Sequence, residues 1–292
     1  MNRSFLPDFR KLIAVFFTIL PGYFAWGQIV EIPDIPGYRL VWNEEFNIGT
    51  RPNPIFWSYE KGLVRNNEAQ YYQEANASIQ NGYLVIEGRR EDITNEKYEA
   101  GSQDWRKANP RASYSSSSIH TRGKKEFQFG IVEIRAKIDT AQGMWPAIWT
   151  LGVEKAWPEN GEIDIMEFYR IGGEPHILAN AAWKDPNLRA AWDEEKIPFS
   201  QFLEKDPHWA EKFHVWKMDW SESAIKIYLD DELLNEIDLK TTLNPDGFNP
   251  FHQPHYILLN LAIGSNGGDP GQSAFPRRYE VDYVRLFQKA DQ

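Results

Sequence analysis

The stretch Gly161-Glu162-Ile163-Asp164-Ile165-Met166-Glu167 carries three carboxylates in positions 162–167, inside an otherwise apolar run. Glu162 and Asp164 alternate with Ile163 and Ile165, the period of a half-buried β-strand. Both acids then point to one face and both isoleucines to the other. Like charges are costly to desolvate side by side, so such a cluster needs a chemical use. In a flat strand Glu167 would point away from the other two acids. A β-bulge at Ile165–Met166 absorbs one residue and returns Glu167 to the acidic face, so a bulge is predicted there. Hydrolysis of a glycosidic bond uses paired carboxyls in a cleft, about 5–5.5 Å apart when the anomeric configuration is retained. The competing reading is a solvated acidic strand of accidental spacing. Trp157, Phe168 and Tyr169 surround the cluster with aromatics and argue against it.

Short alternating segments bounded by turn residues recur along the chain: Tyr83 to Glu87, Gly130 to Ile138, Ile163 to Glu167, Ile177 to Trp183, Phe213 to Trp220, Ala224 to Leu229, Tyr256 to Ile263 and Tyr279 to Phe287. Leu229-Asp230-Asp231-Glu232-Leu233 reads as a hairpin turn between two of them. Many short strands with few helical patterns predict an all-β sandwich or jelly roll. The best helical candidate is short, around Ser200 to Glu204. Asp92 to Ala112 is polar and aperiodic and reads as a surface loop beside the cleft. No repeat or Pro/Ser-rich linker interrupts residues 35–288, which predicts one catalytic domain over 28–292.

The acidic motif resembles the signature of glycoside hydrolase family 16 in its bulged form. Other segments agree in order: Leu40 to Phe46, Asn66-Asn67-Glu68-Ala69-Gln70-Tyr71-Tyr72, Gly143 to Trp149, and Val281 to Arg285. The resemblance implies a jelly-roll sandwich of two antiparallel, concanavalin-like sheets with an open substrate cleft, and an endo-glucanase acting with retention. It makes Glu162 the nucleophile and Glu167 the general acid/base, with Asp164 between them. Laminarinases, mixed-linkage glucanases and agarases share the extra residue that Met166 represents. Laminarinases often have an arginine where this chain has Ser118, which puts strict β-1,3-glucan specificity in doubt. Phe168 to Arg170 and Leu178 to Trp183 resemble mixed-linkage enzymes more closely. The expected substrates are therefore β-1,3- and β-1,3-1,4-glucans, with agar-type galactans ranked below.

Supporting groups follow from the same comparison. Trp145 and Trp149, four apart on one strand, share a face and could floor the sugar subsites. Pro146 between them predicts an edge or bulged strand. Trp157 reads as a sugar-stacking residue or as packing under its loop. Asn67 matches a family asparagine that binds a donor-side sugar, or forms a turn. His214 could reach the leaving-group side near Glu167, or be structural. Family members often carry calcium on the convex face, and the matching positions are Glu45, the Gly82 carbonyl and Asp282. No cofactor is expected for catalysis.

Composition bounds the partners. The net charge is −10 with no basic stripe, which argues against nucleic acid and against a strongly anionic polysaccharide. Twelve tryptophans and thirteen tyrosines suit a cleft that stacks on the flat faces of neutral sugars, although most should be core. With no cysteine there is no disulfide framework and no thiolate metal site. Arg3, Arg10 and Lys11 precede the apolar run Leu12 to Leu20, and Ala25-Trp26-Gly27 offers a small-x-small cleavage site. Residues 1–27 thus read as a signal peptide, the mature chain as a secreted or periplasmic monomer away from the membrane. The rivals are a non-catalytic, lectin-like glucan-binding protein, which would need no poised proton donor, and a transglycosylase. Six scattered histidines form no ligand pair, so metal-dependent hydrolysis is the weaker reading.

Overall fold

Residues His214–Trp220 and Ala224–Leu229 bury every second side chain, as strands do when one face meets a core and the other meets water. Asp230 and Asp231, both at positive φ, turn the chain between Leu229 and Glu232, which pairs with it. This is the two-residue hairpin read from the sequence. The strands Met144–Gly152 and His255–Ile263 are buried almost throughout, because they lie centrally in the sheet, with one face on the core and Ala147, Trp149, Tyr256 and Leu258 packed on one another on the other face. The computed structural model describes residues 32–187 and 189–290. The expected signal peptide and the boundary at residue 28 lie outside them. From Asp34 onward the chain forms one compact unit.

Among the described residues, two sheets of ten and eight strands stack as a jelly-roll sandwich. Neighbouring strands pair antiparallel, apart from the parallel pair Gln70–Tyr72 and Arg111–Ser116. The eight-stranded sheet runs Ala190–Pro198, Glu174–Lys184, Glu162–Ile171, Met144–Gly152, His255–Ile263, Ser118–His120, Ser58–Tyr59, with Glu126–Phe127 pairing off that path. The core fills the space between the sheets. Ile148, Ile163, Ile165, Met166, Phe168 and Ala179 meet Ile134, Trp216, Met218, Ile227 and Leu286 from the opposite sheet.

Three sequence expectations change. The Asp92–Ala112 segment is not one loop: the strand Tyr83–Thr94 runs into it, and Arg111–Ser116 runs out. Between them the short helix Trp105–Ala108 starts at Asp104, whose carboxylate accepts from the Arg106 amide. None of the segment's residues lines the cleft. Pro146 sits in a central strand rather than an edge. It pairs with Leu261 on one side, while the ladder to Glu162–Ile171 starts at Ala147, so its missing N–H falls at the end of that ladder.

The third change concerns the calcium set. Glu45 accepts from Arg285 Nε and Nη2 at 2.9 and 3.1 Å and from Asn43, while Asp282 accepts from Arg135 at 2.6 Å. Gly82 turns the chain between Gln80 and Tyr83 at φ 82°. Both carboxylates are thus neutralised by guanidinium groups, which do not fit a dication. Among the described residues no group of three His, Asp or Glu side chains converges. Arg285 is only 2 % exposed but keeps Glu133 at 3.9 Å, so Glu45→Ala should lower stability by about 1–2 kcal/mol. The melting temperature of the unmodified protein should be the same with chelator and with added calcium. A calcium-dependent rise would show that the arginines yield to an ion.

Candidate active site

The acidic strand enters through Gly161, whose positive φ and closeness to Pro250 exclude a side chain: an added Cβ would lie 2.8 Å from the proline ring. Beyond it Glu162 pairs with Leu151 and Ala182, and Asp164 with Trp149 and Asn180. The register then slips. Ile165 and Met166 together stand against Ala179, and Glu167 resumes pairing with Leu178 and Ala147. This is the predicted bulge. Its two extra-space residues are fully buried on the core side, so Glu167 returns to the face of Glu162 and Asp164. Small neighbours, Ala182 and Ala147, leave room above the two glutamates.

That face floors a cleft of about 610 Å³. Glu162 and Glu167 line it together with Trp145, Trp149, Trp157 and Tyr169. Each glutamate receives an indole N–H. Trp157 Nε1 donates to Glu162 Oε2 at 2.6 Å, and Trp145 Nε1 donates to Glu167 Oε1 at 2.9 Å. Trp149 Nε1 donates instead to Asn260 Oδ1 at 2.7 Å, and Asn260 in turn donates to the Tyr72 hydroxyl. Trp157 is half exposed, while Trp145 and Trp149 are buried at the cleft floor.

The carboxyls titrate unequally. Burial raises Glu162 above the usual carboxylate range, opposed by the Trp157 and Asp164 hydrogen bonds and the Arg65 charge. Glu167 is raised to about 8 by burial and by the Glu162 charge, with Glu68 and Glu194 adding to the push. Asp164 is raised well above its ordinary value by burial and then by the charges of Glu167 and Glu162. Burial and those two charges keep the proton on Asp164, and Asn180 Nδ2 donates to Asp164 Oδ2 at 3.3 Å. The Trp157 bond and the Arg65 charge thus favour the charged form of Glu162, while burial and the Glu162 charge hold the proton on Glu167 at neutral pH.

Two expected site residues lie elsewhere. His214 belongs to the opposite sheet, pairing with Ala136, and is buried there. Its ring stacks on Trp209 at 3.8 Å between centroids, Nδ1 bonds Asp230 and Nε2 bonds the Trp209 carbonyl. It closes the hairpin corner and cannot reach a leaving group. Asn67 is exposed at φ 51° and does not line the cleft; its neighbour Asn66 does. Asn66 is held by its carbonyl accepting from Ser265 Oγ, and it donates to Glu68 at 3.2 Å.

Several cleft residues had no place in the sequence reading: Arg65, Glu68, Trp192, Glu194 and Asn260. Only Asn260 had a local signal, as the lone polar side chain inside the buried run Ile257 to Ile263. Ser118, where the laminarinase arginine is missing, donates to Glu60 Oε2 at 2.6 Å, and Glu60 also pairs with Arg65. The Arg65 guanidinium lies over the Trp149 ring, 5.0 Å from its centroid. A cation thus reaches this end of the cleft from a different segment.

A bulged strand of three acids, floored by tryptophans in the concave sheet of a jelly roll, defines a glycoside hydrolase, and comparison with known proteins agrees. The family model for glycosyl hydrolases family 16 matches residues 65–285, and the chain belongs to that family. It is 31% identical to the beta-glucanase of Rhodothermus marinus over 87% of this chain and 86% of that protein. It is 32% identical to glucan endo-1,3-beta-glucosidase A1 of Niallia circulans over 88% of this chain, but spans 39% of that longer protein. A solved structure from work on endo-acting O-glycanases that initiate mucin breakdown in the human gut microbiota superimposes with TM-score 0.80 at 32% identity. The match covers 89% of this chain and 94% of that one.

The raised Glu167 carries a stability consequence. An acid raised from 4.5 to about 8 on folding binds a proton more tightly in the native state. Its contribution is present at low pH and is lost as pH rises from about 4.5 to about 8. Glu167→Gln, which cannot ionise, should raise the melting temperature by roughly 2–5 °C at pH 9 and by almost nothing at pH 5. Thermal melts at the two pH values would check this; an equal gain at both would contradict it.

Proposed function

We propose that the chain is an endo-acting, retaining hydrolase of β-1,3- and mixed-linkage β-1,3-1,4-glucans. Glu162 attacks the anomeric carbon, and Glu167 protonates the departing glycosidic oxygen. A glycosyl ester on Glu162 results. Glu167, now ionised, takes a proton from water, which attacks the anomeric carbon and releases Glu162. Asp164, buried and raised, keeps its proton and adds no second charge beside Glu162, and the Glu162 charge opposes ionisation of Glu167, so the two glutamates hold one charge rather than two. The observation that carries this reading is the bulge, which sets Glu162 and Glu167 on one face with separate indole donors. The relatives named as beta-glucanase and endo-1,3-beta-glucosidase support the glucan assignment, and the tryptophan floor suits a neutral sugar chain. The cationic, apolar and small-x-small pattern of residues 1–27 supports export from the cytoplasm, where such polymers are met.

A second reading has its own observation. The O-glycanase structure superimposes at TM-score 0.80, and the laminarinase arginine at position 118 is replaced by serine here. Both favour mucin-type O-glycans as an alternative substrate within the same mechanism. A purely glucan-binding role would leave the proton-holding Glu167 without use.

Digestion of laminarin, barley β-glucan, agarose and mucin O-glycans, with products sized by chromatography, separates these substrates. On the best of them Glu167→Gln should lower kcat by about 10²–10⁴-fold, and Glu162→Gln should abolish turnover at least as completely. Proton NMR of the first products should show the β-anomer appearing before mutarotation. Near-normal activity in either variant, or the α-anomer first, would end the assignment.

A further inference from the structure

The edge strand Ala190–Pro198 of the concave sheet places a large aromatic where nothing in the acid motif requires one. Trp192 is 40 % exposed and lines the cleft, as does Glu194 two residues on. Asp193 between them faces the other way and accepts from Asn235 Nδ2 of the opposite sheet at 3.0 Å, which fixes the alternation of the strand. The register aligns Trp192 with the chemistry. Leu151, Glu162, Ala182 and Trp192 are successive cross-strand partners. Trp192 therefore sits two strands out from the Glu162 strand, about 9–10 Å across the sheet. The residue between them is Ala182, a small and fully buried side chain that does not itself project into the cleft. Asn180 and Glu194 repeat the arrangement one step along, beside Asp164.

We infer that Trp192 and Glu194 form an outer sugar subsite, a stacking platform and a hydroxyl acceptor. There a pyranose ring beyond those flanking the scissile bond is held against the edge strand. An exposed indole that packs on no other aromatic ring among the described residues offers its face to the C–H side of a sugar, and the adjacent carboxylate accepts from its hydroxyls. With Glu194 at this end and Glu162 facing the same cleft, this end selects neutral sugars and repels sulfated or carboxylated ones. The opposite end, walled by Arg65, Asn66 and Ser265, carries the cation instead. The two ends of the cleft thus recognise different parts of the polymer. This inference rests on the hydrolase reading above, and its test separates the two.

The experiment measures kcat/KM over laminari-oligosaccharides from trimer to heptamer, reducing-end labelled so that the cleaved bond is known, for the unmodified enzyme, Trp192→Ala and Trp192→Tyr. The unmodified enzyme should gain activity in a step at the length that reaches the edge strand. Trp192→Ala should lose about tenfold above that step, chiefly in KM, match the unmodified enzyme below it, and shift the preferred bond; Trp192→Tyr should recover most of the loss. Glu194→Gln should improve binding of a sulfated oligosaccharide relative to its neutral counterpart. A uniform loss at all lengths would mark Trp192 as structural, and an unchanged ladder would show that no sugar touches it; either overturns the subsite. If the unmodified chain cleaves no oligosaccharide or polymer, it is the hydrolase reading that has failed.

Discussion

The fold is organised around the desolvation of three carboxyl groups on one strand. Glu162, Asp164 and Glu167 would repel one another and lose hydration if all were charged, and the sandwich resolves this by keeping protons among them. The opposite face of the strand makes this possible. Ile163, Ile165, Met166 and Phe168 are fully buried against the facing sheet, and this apolar anchorage offsets the unfavourable acidic face. The bulge links the two. Without the bulge, the extra residue Met166 would turn Glu167 away from the cleft.

Each glutamate has an indole donor that favours its charged form, so the neighbouring charges divide the labour between them. Trp157 and Arg65 favour the charged form of Glu162, while Glu162, Glu68 and Glu194 act on Glu167 in the opposite sense. Trp149 contributes by its ring rather than its N–H, which Asn260 occupies. The aromatic content thus has two uses: some rings, such as Trp216 and Trp220, fill the space between the sheets, and others floor the cleft. Composition alone does not sort one group from the other. The strands do, by the face each residue occupies.

The failures of sequence reasoning share a cause. The resemblance lets His214 be either a leaving-group contact or a structural residue, and its strand belongs to the sheet that faces away from the cleft, which leaves the structural role. Asn67 and Asn66 are adjacent, and both adopt left-handed backbone, so which of them meets the sugar depends on how the loop is pinned by Ser265, nearly two hundred residues away. Glu45 and Asp282 look like oxygen ligands until Arg285 and Arg135 arrive from other strands to neutralise them. In each case the deciding partner is distant in sequence.

The strands Ala190–Pro198 and Arg111–Ser116 were not legible in the sequence. What the chain announced by itself was governed by local period: the strongly alternating strands such as His214–Trp220 and Ala224–Leu229, the Asp230–Asp231 turn, the acidic motif and the bulge needed to reconcile it with alternation. These rest on neighbouring residues and the two-residue repeat of an extended backbone. Only the tertiary structure decided which aromatics line the cleft, that Arg65 stands near the missing arginine at Ser118, and that Trp192 aligns with Glu162 across two strands. Strand order and register join residues with no sequence spacing to reveal them, because the pairing is dictated by the burial of whole sheet faces rather than by any local pattern.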